Sequence, residues 1–282
     1  MLQVQLKPGI KGGQWAYLRP LCGHDEVVAQ EVMVHGRGMN GAGVLGGALE
    51  GTSSLGTALL DRLLVSVPGT TVASGRAKEL AVCDCDRLFA HLYLTYFGEQ
   101  IESNVTCKVC GEPFELGFSL RQLMARFEAN AFTQVTGPDG EGIYTLADGQ
   151  RFRLPTAGDR DSVVGLDTEQ ATTALLKRCT VEGDPLADTA ALQSAMDEVG
   201  PVMDVDLDAT CPHCQTAQLV QFDIQTYFLR ALAFEHRFLI REVHKIAIAY
   251  GWSHQEILSL PREERQTFVR LIEAERPRRR AS

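Results

Sequence analysis

Apolar residues recur at helical spacing up to about residue 98, alternate with polar ones in stretches between 99 and 223, and return to helical spacing from 224 onward. In the first region "LCGHDEVVAQEV" has helical spacing, and "SSLGTALLDRLLVSV" carries Leu59, Leu60, Leu63 and Leu64 on one face. A third candidate, "SGRAKELAVCDCDRLFAHLYLTYFG", is long and stops at Gly98. The region 1–98 therefore reads as mainly helical, broken by one glycine-rich loop.

The middle, 99–223, has a different period. "EQIESNVTCKVCGEPFELGFSL" alternates, meets Cys107 and Cys110, and alternates again, and "MDVDLDATCPHCQTAQLVQFDI" repeats that plan around Cys211 and Cys214. Between them "GIYTLADGQRFRLP" predicts a hairpin turning at Asp148-Gly149, with Ile143, Tyr144 and Leu146 on one arm and Phe152 and Leu154 on the other. "DTEQATTALLKRC" and "DTAALQSAMDEVG" read as helices, the second ending at Gly200.

The last region, 224–282, predicts a helical arm. In "IQTYFLRALAFEHRFLIREVHKIAIAYG" the residues Phe228, Leu232, Leu239, Val243, Ile246 and Tyr250 share one face up to a stop at Gly251. Ser253 and Glu256 then spell a capping box, Trp252 is placed to staple onto Ile257, and a further helix restarts at Pro261 with Leu260, Phe268, Leu271 and Ile272 on its apolar side. The expected fold class is α+β: mostly helical, with a split zinc-ribbon-like pair of β hairpins and long C-terminal helices.

Composition adds limits. Of 282 residues, 45% are hydrophobic and 22% charged, ordinary for a globular chain. The formal net charge of -9 argues against a polyanion partner, since phosphate binding needs clustered Lys and Arg, and the one dense basic run, "RPRRRAS", reads as a solvated end. No apolar run approaches the roughly 20 residues of a membrane span. "MLQVQLKPGIKGG" has no secretory h-region, so a reducing cytoplasmic setting is expected, in which paired cysteines hold metal more often than disulfides.

Two C-x-x-C pairs at hairpin tips supply four thiolates, and Cys107, Cys110, Cys211 and Cys214 are the expected ligands of one structural zinc ion. Their separation makes the ribbon a split one, with the intervening segment inserted between neighbouring hairpins. A redox role for "CPHC" would need a helix to follow Cys211, to stabilise its thiolate, but "QTAQLVQFDI" continues as a strand. Cys22, Cys83, Cys85 and Cys179 read as buried or incidental thiols, His213 is surplus to a complete four-cysteine set, and His236, His244 and His254 have no carboxylate or cysteine constellation around them. Gly41, Gly43 and Gly46 spell G-x-G-x-x-G, with Asp61 where a ribose-binding acid would be sought. A helical segment precedes this loop instead of the required strand, so nucleotide binding is rejected. No catalytic or organic-cofactor site, and no small-molecule substrate, is expected.

"YLRPLCGHDE", "CKVCGEPFEL", "GQRFRLPTAGDRD", "CPHC" and "FLIREVHKIAIAYGWSHQEILSLPREER", in that order, resemble the baseplate hub assembly chaperone family of T-even-like contractile phages and related contractile injection systems. The resemblance spans residues 15 to 272, its most specific part being the helix-Gly-Trp-Ser elbow with "EILSLP"; the glycine-rich loop and "CDCDRLF" depart from the family pattern. It implies a non-enzymatic baseplate component or assembly chaperone of a contractile tail or injection system. Other baseplate, hub or spike proteins would be its partners, with no membrane. Assembly would take place in the bacterial cytoplasm and the final location would be the tail baseplate. The alternative is a zinc-ribbon nucleic-acid-binding protein, weakened by the acidic flank "DVDLDAT"; a thiol oxidoreductase ranks third.

Overall fold

The computed structural model of the protein describes residues 1–10, 13–35, 52–70, 72–128 and 135–279. The chain opens with a β hairpin, an element absent from the mainly helical reading of 1–98. Strands β1 (Leu2–Ile10) and β2 (Gly13–Leu18) pair antiparallel with Leu2 opposite Leu18 and Val4 opposite Ala16. Alternation in "LQVQL" buries Val4 and Leu6 while Gln3 and Gln5 point away. Helices α1 (Gly23–His35), α2 (Thr52–Leu63) and α3 (Val82–Tyr96) follow as the periodicity predicts, with a short 3-10 turn at Ala77–Glu79.

Next come the hairpin β3 (Gln100–Thr106) and β4 (Pro113–Ser119) and the helix α4 (Leu120–Glu128). The inserted segment folds around a four-stranded antiparallel sheet in sequential order: β5 (Val135–Thr136), β6 (Ile143–Leu146), β7 (Arg151–Arg153) and β8 (Thr180–Glu182). Its central turn is the expected one. Gly149 has φ +91°, which an L side chain rarely tolerates, the Asp148 carboxylate accepts from the Gln150 N–H at 2.9 Å, and Tyr144 faces Phe152. The helices α5 (Ala157–Asp161), α6 (Thr168–Cys179) and α7 (Thr189–Val199) are capped by Thr156, Asp167 and Asp188, each accepting a first-turn N–H. Tyr144, Phe152, Leu176, Leu192 and Val199 form the core of this insert.

The strands β9 (Asp204–Thr210) and β10 (Ala217–Asp223) form the second cysteine hairpin, which leads into the 27-residue helix α8 (Ile224–Tyr250). Phe228, Leu229 and Leu232 of α8 enter the main core with Leu59, Leu63, Leu88, Phe89, Val4 and Leu18, together with Ile101 and Phe222 from the bases of the two cysteine hairpins. Packing is thus continuous across residue 224.

Gly251 ends α8 in the left-handed region at φ +70°, and Ser253 and Glu256 make both halves of the capping box that opens α9 (His254–Ser259). The segment past this elbow does not project: α10 (Arg262–Arg279) folds back along α8. Trp252 stacks on Tyr250 at 5.2 Å and meets Phe268 edge to face at 5.1 Å, beside a small cluster of Ile246, Ile257 and Ile272. The Arg262 N–H donates to the Leu21 carbonyl, and Arg265, at 0% exposure, donates to Glu26 of α1 and Glu242 of α8. The arm is fastened to the body by buried charge.

Candidate metal centre

Two copies of one local plan build the site, displaced by 104 positions. Each hairpin pairs two seven-residue strands in the same register, Gln100 opposite Ser119 and Thr106 opposite Pro113 in one, Asp204 opposite Asp223 and Thr210 opposite Ala217 in the other. Each tip is closed by the same bonds. Cys107 N–H donates to Glu112 O at 3.0 Å and Gly111 N–H to Cys107 O at 3.0 Å; Cys211 N–H donates to Thr216 O at 3.0 Å and Gln215 N–H to Cys211 O at 2.9 Å. The turn demands a left-handed residue after the second cysteine, and Gly111 (φ +77°) and Gln215 (φ +60°) occupy equivalent places. At each base the chain passes into a helix through an oxygen-bearing cap: Ser119 accepts from the Gln122 N–H and Asp223 from the N–H groups of Gln225 and Thr226. Phe118 and Phe222, also equivalent, meet edge to face at 5.0 Å.

The tips clasp each other. Val105, Phe114, Ala209 and Val220 pack between them, and Lys108 of the first tip bonds to the second, its N–H to Gln218 Oε1 and its Nζ to Leu219 O, both at 3.0 Å. This contact brings the four sulfurs together. Cys107 Sγ lies 3.6 Å from Cys214 Sγ, Cys110 Sγ lies 3.7 Å from Cys211 Sγ, and all four atoms fall within 4.8 Å of one another. A disulfide needs about 2.05 Å, and all four cysteines are free. A tetrahedron with metal–sulfur bonds of about 2.3 Å has sulfur–sulfur edges of ~3.8 Å. The cluster has the dimensions of a four-thiolate metal site and could hold one ion.

Local donors prepare part of the set for deprotonation. Hydrogen bonds from the Thr216 hydroxyl and N–H bring the Cys214 thiol down to about 6, and the N–H groups of Cys110 and Val109 lower that of Cys107. The Glu112 N–H supports the Cys110 thiolate, but burial and the crowding of the other three sulfurs push it up to about 12. Four thiolates this close repel, and a dication in their midst removes that repulsion.

The other cysteines and the histidines that the sequence singles out lie outside the four-sulfur cluster. Cys83, Cys85 and Cys179 are buried, and burial raises all three thiols, that of Cys179 to about 11. Cys22 is half-buried beside Asp25, and burial together with that carboxylate raises it too. His213 is exposed and outside the sulfur cluster, and His244 and His254 are exposed. Asp61 sits in α2 and accepts the Ala77 N–H at 2.9 Å, helping to form the 3-10 turn. Gly41, Gly43 and Gly46 lie outside the described residues, and α1, a helix, precedes them. The side chains of "RPRRRAS" also lie outside the described set.

Sequence reasoning missed the buried acids. Asp84 and Asp86 of α3 are fully covered: Asp84 accepts the N–H groups of Lys7 and Gly9, while Asp86 accepts Met203 N–H at 2.8 Å and Gln225 Nε2 at 2.5 Å. The acids of the "CDCD" run stitch the first hairpin and the segment before β9 to the core. No helix among the described residues is long and apolar enough to cross a membrane. Comparison of the chain with protein-family models, curated proteins and solved structures gives no match.

Proposed function

We propose that the chain is a non-enzymatic protein of a contractile phage tail or tail-like injection system, a baseplate component or assembly chaperone, stabilised by one structural zinc ion. The observation that carries the zinc assignment is the closed four-sulfur cluster. Four thiolates complete a tetrahedral shell, so no coordination position remains for water or substrate, the arrangement expected of a structural site and not a hydrolytic one. The cluster also explains how two hairpins keep company, since an isolated two-stranded hairpin is marginal in water. The baseplate assignment rests on the family resemblance of the elbow "GWSHQEILSLP" and the cysteine pairs.

Acidic surroundings favour this reading over nucleic-acid binding. Asp204, Asp206 and Asp208 are exposed along β9, where a phosphate would need cations. The test is made on purified full-length protein. Elemental analysis should give one zinc per chain, a DNA titration at low salt no binding, and an insulin-reduction assay no activity; removal of the gene from the producing strain should stop assembly of contractile particles. Metal-free protein purified from zinc-supplied cells, or normal particles without the gene, overturns the respective half of the proposal.

A further inference from the structure

The face of α8 turned away from the body carries an apolar stripe. Phe234, Phe238, Ile240 and Ile248 are 59%, 37%, 59% and 67% exposed, beside Leu229, Leu232, Leu239 and Ile246, which point the other way and are buried. Positions 234, 237, 238, 241, 245 and 248 fall three, four and seven apart, so they form one continuous row, with 240 and 244 on its flank. Large side chains in such a row are costly to leave in water on a helix whose opposite face already fills the core.

The charge on this row is of one sign. Arg237 and Arg241 are exposed on it, and Lys245 is neutralised by Glu273 at 2.5 Å. The neighbouring carboxylates of the helix, Glu235 and Glu242, face α10, where Arg262 and Arg265 hold them. An acidic chain of net charge -9 thus places cations on an exposed apolar helix face.

We infer that this face, residues 234 to 248, docks in the apolar groove of another protein whose rim is lined with carboxylates; the inference rests on the proposed role in tail assembly and names the surface that role uses. A helix laid in a groove is read through anchors at such spacing, and Arg and Phe are the residue types that dominate such contacts. A second copy of the chain fits poorly, because a two-fold pairing of this face brings the Arg237 and Arg241 cations of the two copies together. A nucleic acid fits poorly too. The Arg237 guanidinium lies 3.7 Å from the centre of the Phe234 ring and 4.7 Å from that of Phe238, occupying the surfaces on which bases would stack. Ile240 and Ile248 offer nothing to a phosphate backbone.

The test uses the full chain in cells producing the particle, with photoreactive benzoylphenylalanine replacing Phe238, or replacing the exposed Val164 of the insert as a control. The Phe238 probe should cross-link one tail subunit through a peptide rich in apolar residues and Asp or Glu. Combined Arg237→Glu and Arg241→Glu should cut the yield at least tenfold while leaving melting temperature and metal content unchanged. Cross-links to a second copy, to nucleic acid or to lipid, a contact peptide lacking carboxylates, or a yield unmoved by charge reversal would overturn the inference. If only the Val164 probe reaches a tail subunit, the baseplate reading stands and this face falls. If the Phe238 probe captures an acidic protein that is no part of a tail, the face stands and that reading falls. Silence at both positions overturns both.

Discussion

Arg265 is the single side chain whose loss should cost most. Its guanidinium donates to Glu26 at 2.5 Å, to Glu242 at 2.6 Å and to the Leu260 carbonyl at 3.3 Å, with no exposure to water. Burial raises the Glu26 carboxyl even against the pull of Arg265 and Arg262, so removing the cation strands an anion already disfavoured. Arg265→Met is expected to destabilise by about 3–5 kcal/mol in urea unfolding, with the deficit shrinking as the pH falls and Glu26 takes up a proton. Asp86 gives the opposite kind of prediction. Burial pushes its carboxyl up to about 7 although Gln225 and Met203 donate to it. The folded state therefore holds a proton the unfolded state releases near pH 4, and stability falls as pH rises through that window by at most about 1.4 kcal/mol per unit. Asp86→Asn carries no charge and keeps an acceptor for one of the two donors, which bond to different oxygens of the carboxylate. Relative to wild type it should gain about 1–4 kcal/mol between pH 5 and pH 8, read as the difference in urea midpoints; equal pH slopes for the two proteins would count against a protonated Asp86.

At the level of the element, the elbow between α8 and α9 is expected to respond modestly. Ser253→Ala removes the side-chain half of the capping box, leaving the backbone N–H of residue 253 to the Glu256 carboxylate, and should cost about 1 kcal/mol; Gly251→Ala places a Cβ at φ +70° and should cost about the same. Measured together they should depart from additivity, because both act on one turn. Truncation after Gly251, by contrast, strips Arg265 from Glu26 and uncovers Ile246, so it should lower the urea midpoint far more than either substitution. These same elements show what a sequence makes legible. The elbow, the Asp148-Gly149 turn and the caps at Asp167 and Asp188 are decided by residues a few positions apart, and their signals are local. The cysteine hairpins were readable because a rare residue type repeats at a fixed spacing. The Arg265–Glu26 pair joins positions 239 apart, and nothing near either marks it. The opening hairpin was lost because the alternation in "LQVQL" is short and runs into Pro8 and Gly9, and Asp84 and Asp86 were lost because a helix buried on several sides hides which acids face inward.

For the molecule as a whole, the four-cysteine cluster and the main core are neighbouring structures that share the bases of two hairpins. Chelation, or Cys211→Ser, should release the ion and lower the melting temperature by at least several degrees, while most far-ultraviolet helix signal survives, since the helical core of Phe89, Phe228 and Leu63 contains no ligand. Cys179→Ser should leave the ion in place. Loss of all helix on chelation would mean the core cannot stand without the site. The doubled plan of the centre also bears on how the protein is made. A ribosome adds about 5–20 residues per second, so Cys107 and Cys110 leave the exit tunnel several seconds before Cys211 and Cys214 exist. During that interval the nascent chain offers an ion half a shell, and the core still lacks Phe222, Phe228 and Leu232. Both gaps close within the same stretch of synthesis, from residue 211 to 232, so a chain cut short before that stretch has neither the complete four-sulfur cluster nor a complete core.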